Sequence, residues 1–214
     1  VQAWRFLDEA HALAQARARD RERAEGCPMG PLHGVPVGIK DIIDTADMPT
    51  ENGTVLHAGR QPLRDATVVA RLRAAGAVIL GKTVTTECAT YTPGKTRNPH
   101  DPSRTPGGSS SGSAAAVAAG MVPLAIGTQT NASVVRPAAF CGVYGFKPSH
   151  GVIPRRGILE LSRSLDCVGV FARCLDDIAL ITEQLIGDDE GDPDTRSLGR
   201  IPLTQMLHSE PPHA

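Results

Sequence analysis

Mostly apolar positions at the start of the chain recur at helical spacing. Trp4, Leu7, His11, Ala14 and Ala18 fall three or four residues apart on one face. This predicts an amphipathic helix over residues 1–24 with arginines on its outer face, ended by Gly26 and Pro28. The pattern then changes. Gly34 to Asp41, GVPVGIKD, alternates apolar residues with Gly and Pro and predicts a short strand or extended run that closes at Lys40 and leads into a functional loop. Asp65 is placed to N-cap a helix over DATVVARLRAAG, stopped at Gly76, after which Ala77 to Leu80 reads as a buried strand. Pro106 to Ser113, PGGSSSGS, is a loop feeding an alanine-rich helix. Val122 to Ile126 predicts a strand, GTQTNAS a polar loop, and RPAAF, Arg136 to Phe140, leads to a strand at GVYGF. A last helix runs from Leu175 to Ile186 and ends at Gly187.

Helices alternating with short buried strands predict an α/β layered fold without an internal repeat. One domain is expected over residues 1–187. From residue 188 to Ala214 the acidic, proline-bearing tail shows no usable periodicity and is expected to be loosely ordered. Val1 already falls inside the first helical pattern, so the start of the gene product is expected to be missing.

Composition narrows the function classes. The 214 residues are 41% hydrophobic and 21% charged, ordinary for a globular chain. A formal net charge of -1 and 3% aromatic residues leave little to neutralise phosphates or stack on bases, so no nucleic-acid partner is expected. No apolar run approaches the roughly 18–20 residues of a membrane helix, and the first residues lack a signal-peptide layout. The expected compartment is the cytoplasm, with no membrane partner. Cys27, Cys88, Cys141, Cys167 and Cys174 are scattered and form no zinc-like set, so they read as reduced structural thiols and no metal is expected.

Some motifs mislead. Gly76 to Thr83, GAVILGKT, satisfies the phosphate-loop pattern. A helix rather than a strand precedes it, however, and Ala-Val-Ile-Leu between the glycines is itself strand-like, so phosphate binding is rejected. The sequons at Asn52 and Asn131 have no secretory signal to give them meaning. None of the seven histidines stands in a nucleophile motif or pairs with another at metal spacing, which argues against a Ser-His-Asp hydrolase.

One block is more specific. PGGSSSGSAAAVAAGMVPLAIGTQTNASVVRPAAFCGVYGFKPSHG, Pro106 to Gly151, resembles the signature of the amidase-signature family. GVPVGIKD, the GKTVTTE run, TRNPHDP and SLDCVGVFAR are similar to the same family in the same order, over about residues 1–187. The resemblance implies the amino-terminal part of an α/β/α sandwich around a mixed central sheet, with the site at one edge of that sheet. It implies a Ser-Ser-Lys triad of Lys40, Ser109 and Ser133, the serines 24 residues apart, with a cis peptide bond before Ser109. It also implies an oxyanion hole of backbone N–H groups at Thr130, Asn131, Ala132 and Ser133.

These residue types suit amide hydrolysis. A serine hydroxyl needs a base, and a lysine desolvated in an apolar Gly-Ile setting can be that base. A second hydroxyl, which both donates and accepts, can relay the proton and return it to the departing amine. Arg136 is a candidate for holding a substrate carboxylate, or else for fastening its own loop. Ser110 and Ser111 are expected to bond backbone groups at the helix start, and Lys82 to be structural. The expected substrate is a small-molecule amide, no cofactor is expected, and a homodimer is the protein partner considered.

The chain departs from the family at two points. Asn131-Ala132 replaces the usual Gly-Gly, which raises the question of whether that loop needs positive φ. SHGVIPRRG at 149–157 replaces the TYGRVSRYG run of the amidotransferase subunit that releases ammonia from glutamine, which favours a stand-alone amidase over that alternative. A binding homologue that lost the reaction is the reading from another class. A domain cut midway is further expected to be poorly stable and weakly active, because it leaves sheet edges and apolar faces uncovered.

Overall fold

A computed structural model describes residues 1–195, 198, 199 and 201–210. Six strands, β1 (Trp4–Leu7), β2 (Pro36–Lys40), β3 (Val78–Thr83), β4 (Leu124–Gln129), β5 (Tyr144–Phe146) and β6 (Cys167–Ala172), form one sheet in the order β1-β3-β2-β4-β6-β5. The central strands β3, β2 and β4 are parallel, and β1, β6 and β5 pair antiparallel. The helices are α1 (Glu9–Ala24), α2 (Thr67–Ala74), α3 (Ser111–Ala118), α4 (Val135–Cys141), α5 (Leu175–Leu185) and α6 (Leu203–Leu207). No described helix is long and apolar enough to cross a membrane.

Each face of the sheet buries its own core. Val37, Ile39, Ile79, Leu124, Ile126, Val168 and Val170 pack with Leu72 of α2 and Ile178, Ile181 and Leu185 of α5. Ala125 and Phe171 pack on the other face against Ala114 to Val117 of α3 and Ala138 of α4. The layers are therefore α/β/α. Large aliphatic side chains fill the first interface, where truncating one such as Ile39 to Ala costs about 2–5 kcal/mol. The second is built from small residues and is correspondingly tight. A Cβ on Gly112 would fall 2.3 Å from Val84 N, and one on Gly127 would fall 2.6 Å from Ser110 Oγ. The glycines let α3 and its preceding loop lie directly on the sheet.

The amino terminus differs from its periodic pattern. Residues 4–7 form β1 at the sheet edge, and the helix starts only at Glu9, where the Asp8 side chain accepts from His11 N at 3.0 Å. Spacing of three suits a helix, but the alternating burial of Trp4 to Leu7 shows that the edge of β3 captured this segment. Gln15 of α1 extends that edge by accepting from Ile79 N and donating to Ile79 O. Asp65 does not cap α2, whose cap position is Ala66 without a side-chain bond. Its carboxylate instead accepts from Ala46 N and from Arg73. In the segment expected to be loosely ordered, Asp189 pairs with Arg156, Asp192 with Arg155, and Asp194 with both Arg155 and Arg163. Further on, Glu183 of α5 holds Thr204 of α6. The remainder of that tail, residues 196, 197, 200 and 211–214, lies outside the described residues.

Candidate active site

The three parallel strands deliver their carboxyl ends to one place, and the candidate residues gather there. This is the middle of the sheet, since β2 and β4 are interior strands, and not the sheet edge the resemblance suggested. Open α/β sheets form crevices at such strand ends.

Lys40 is the last residue of β2 and is fully buried. Its Nζ donates to Ser109 Oγ at 2.7 Å and to Thr128 Oγ1 at 2.8 Å, with Thr128 O at 3.4 Å. Burial pushes its pKa down to about 7 from the ordinary 10.5, and the Asp166 carboxylate pulls weakly the other way. Both close partners are hydroxyls, which satisfy an amine as readily as an ammonium.

Ser109 lies in the loop before α3, 1% exposed, and the Gly108–Ser109 peptide bond is cis. The loop is fastened on three sides. Thr86 N donates to Ser109 O, Arg136 donates to Gly108 O through Nε at 3.0 Å and through a terminal nitrogen at 2.8 Å, and Ser110 N donates to Ser133 O at 3.3 Å. Arg136 thus spends its paired donors on this carbonyl, which supports the loop-fastening alternative over the substrate-binding one. Ser110 bridges Thr128 O and Thr128 N through its hydroxyl, and Ser111 bonds Val84 O. Both serines hold backbone as expected. The groups they hold belong to β4 and to the end of β3, and not to the start of α3.

Ser133 sits in the turn between β4 and α4, 9% exposed. The Ser110–Ser133 backbone bond brings it beside Ser109, while among the described residues no hydrogen bond joins its hydroxyl to Ser109 or Lys40. Two members of the expected triad are therefore in contact and the third adjoins them. The N–H groups of Asn131, Ala132 and Ser133 find no acceptor among the described residues. Neither Asn131 nor Ala132 has positive φ, so this loop does not require the missing glycines for its conformation. A cleft of about 500 Å³ opens beside Thr128 and Thr130 and is walled by Asp166, Cys167 and the segment from Arg155 to Leu161.

Lys82 confirms that GAVILGKT is not a phosphate loop. It lies inside β3, fully buried, with Nζ on Ile43 O at 2.8 Å and Thr50 Oγ1 at 2.5 Å, and Asp41 Oδ1 at 3.5 Å.

Sequence reasoning missed Thr128, Gln129 and Asp166. Gln129 Oε1 accepts from Val134 N at 2.8 Å and Val135 N at 3.0 Å, fixing the end of the Ser133 turn. Thr130 Oγ1 donates to Asp166 Oδ1 at 2.5 Å. GTQT reads as loop, whereas β4 runs through Gln129, and a strand ending there aims successive side chains in different directions.

A buried lysine on a serine in the loop before a small-residue helix, with a second serine after the next strand, is the arrangement that the amidase-signature resemblance implied. Comparison with known proteins agrees: the Amidase family model matches residues 1–209, and the chain belongs to that family. The match extends past the limit of 187 drawn from the motifs. The chain is 44% identical over 201 residues to the A subunit of glutamyl-tRNA(Gln) amidotransferase from Chloroflexus aurantiacus, covering 90% of this chain and 41% of that protein. Among solved structures, it is similar to the peptide amidase of Stenotrophomonas maltophilia, with TM-score 0.89 and 41% identity over 96% of this chain and 45% of the other. It also matches the glutamyl-tRNA(Gln) amidotransferase A subunit of Thermotoga maritima, with TM-score 0.76 and 39% identity over 80% and 39% of the two chains. The chain thus spans about two fifths of the curated relative's length.

Proposed function

We propose that this chain carries the catalytic residues of an amidase that cleaves the carbon–nitrogen bond of a small carboxamide through an acyl-serine. The observation that carries this reading is the 2.7 Å contact from a fully buried Lys40 amine to Ser109 Oγ.

Ser133 Oγ passes its proton to Ser109 Oγ as Ser109 passes its own to the neutral Lys40 amine, and Ser133 Oγ bonds to the carbonyl carbon. The charge arriving on the carbonyl oxygen is met by N–H groups of the 130–133 turn, each such donor contributing about 3–4 kcal/mol. The proton returns through Ser109 to the departing nitrogen, the C–N bond breaks, and ammonia or an amine leaves. Water, deprotonated by the same relay, then attacks the ester and frees the acid and Ser133. A 2.7 Å bond is not enough by itself; Lys40 must also be uncharged for part of the time, and its lowered pKa supplies that condition.

A second reading is a glutaminase subunit that releases ammonia for transfer to a tRNA-bound acid, favoured by the names of the 44% and 39% identical relatives. The SHGVIPRRG departure favours the stand-alone amidase, while Asn131-Ala132 departs from the family as a whole and does not separate the two. The test is fluorophosphonate labelling of the full chain with peptide mapping, followed by a screen of small amides and of glutamine with and without partner subunits. Label on Ser133 that disappears in Lys40→Ala supports the amidase. No label supports a binding homologue, and glutamine hydrolysis seen only with partners supports the second reading.

A further inference from the structure

The turn that carries Ser133 begins where β4 ends, and three successive residues there are tied to three different places. Thr128 receives Lys40, Gln129 caps the far end of the turn at Val134 and Val135, and Thr130 donates to Asp166. Asp166 itself is 8% exposed and fully engaged. One carboxylate oxygen takes the Thr130 hydroxyl. The other accepts from Leu161 N at 2.7 Å and Ser162 N at 2.9 Å. Of the residues it holds, Thr130 and Leu161 line the cleft.

We propose that Asp166 is a positioning residue for amide cleavage: through Thr130 it fixes the start of the 130–133 turn and so the aim of the N–H groups that meet the oxyanion. The proposal rests on the assignment of Ser133 as nucleophile. Gln129 clamps the far end of a turn whose N–H groups at 131–133 find no acceptor among the described residues, and at the near end, where β4 stops, Thr130 is tied to Asp166. A carboxylate that ties Thr130 to the Leu161–Ser162 segment, and so joins two separate parts of the chain, is an economical second clamp.

Its charge acts at the same site. The Asp166 carboxylate is the charge that reaches Lys40 and favours its ammonium. The cleft also holds Arg155, Arg156, Glu160, Arg163, Asp192 and Asp194. Arg155 is paired with Asp192 and Asp194, Arg163 with Asp194, and Arg156 with Asp189, so the arginines are neutralised locally. Removing the Asp166 charge therefore has a separate signature from removing its hydrogen bond.

The test measures the rate at which a fluorophosphonate labels Ser133 in the full chain, on both sides of neutral pH. Thr130→Val is expected to lower the high-pH rate roughly 10- to 100-fold with an unmoved midpoint, and Thr130→Ser to restore it. Asp166→Asn is expected to lower the rate and also shift the midpoint to lower pH. If Asp166→Asn does not fold, the Thr130 pair carries the test. An unlabelled Ser133 in the parent chain overturns the nucleophile assignment, and this proposal with it. Labelling in the parent that both variants match in rate and midpoint overturns the positioning role alone. A loss in Thr130→Val that Thr130→Ser does not recover also overturns it, because packing and not the hydroxyl would then be at work.

Discussion

Lys40 and Lys82 stand on neighbouring parallel strands, both fully buried, and the chain uses them in opposite ways. Beside the Thr50 hydroxyl at 2.5 Å, Lys82 meets acceptors that cannot give a proton back: the carbonyl of Ile43 and the Asp41 carboxylate at 3.5 Å. Burial lowers its pKa only to about 8, since Asp41 and Asp44 offset the cost, and at neutral pH it remains charged. Burial raises Asp41 in turn, against the pull of Lys82. Lys40 meets two hydroxyls and no paired carboxylate, and reaches about 7. Burial alone does not make a lysine a base. What matters is whether its neighbours demand the charged form.

Exchanging the roles of the two lysines is the strongest way to break this contrast. Lys40→Met is expected to cut Ser133 labelling roughly 10²- to 10⁴-fold while the chain stays folded. Lys82→Met is expected to leave the pH midpoint of labelling where it was and to destabilise by about 3–5 kcal/mol, because Asp41 stays buried without its partner. Chemical denaturation of each variant beside its labelling rate separates the two. Adding Asp41→Asn to Lys82→Met should recover part of the stability, since the orphaned charge is then removed.

Stability against pH sharpens the same point. The folded pKa of Lys40 lies below its unfolded value, so between pH 7 and 10.5 the unfolded chain binds a proton that the folded chain does not. Folding stability attributable to Lys40 therefore rises with pH across that window and is lowest below 7. The full span is at most about 5 kcal/mol. Denaturant midpoints at the two ends of the window should show a steeper slope in the parent than in Lys40→Met, which keeps the contribution of Lys82, whose folded pKa is also lowered. The smallest expected effect belongs to Thr128→Val. Removing one acceptor of the Lys40 ammonium should move the labelling midpoint down by roughly one pH unit, with little loss of rate above it.

The candidate residues Lys40, Ser109 and Ser133 were legible because the family motif fixes their order and spacing. Taken alone, Lys40 after its Gly-Ile run reads as a solvated charge, and its burial was legible only through the motif. Thr128 was not, because its bond to Lys40 spans 88 residues and nothing in GTQT marks where strand ends and loop begins. Asp166 falls inside the SLDC run with nothing local to give it a role, for its partner Thr130 lies 36 residues upstream. The Trp4–Leu7 strand reads as helix because a spacing of three fits both a helix face and an edge strand captured by β3. Asp65 has a cap residue's identity and place, but Arg73 and Ala46 N compete for its carboxylate.

The uncharged state of Lys40 is what the other assignments depend on. Heteronuclear NMR of lysine side-chain nitrogens, with Lys40→Met and Lys82→Met for assignment, reads it directly. Lys40 should titrate near 7, and Lys82 should titrate above it. A Lys40 nitrogen that remains ammonium up to its ordinary 10.5 would contradict the account.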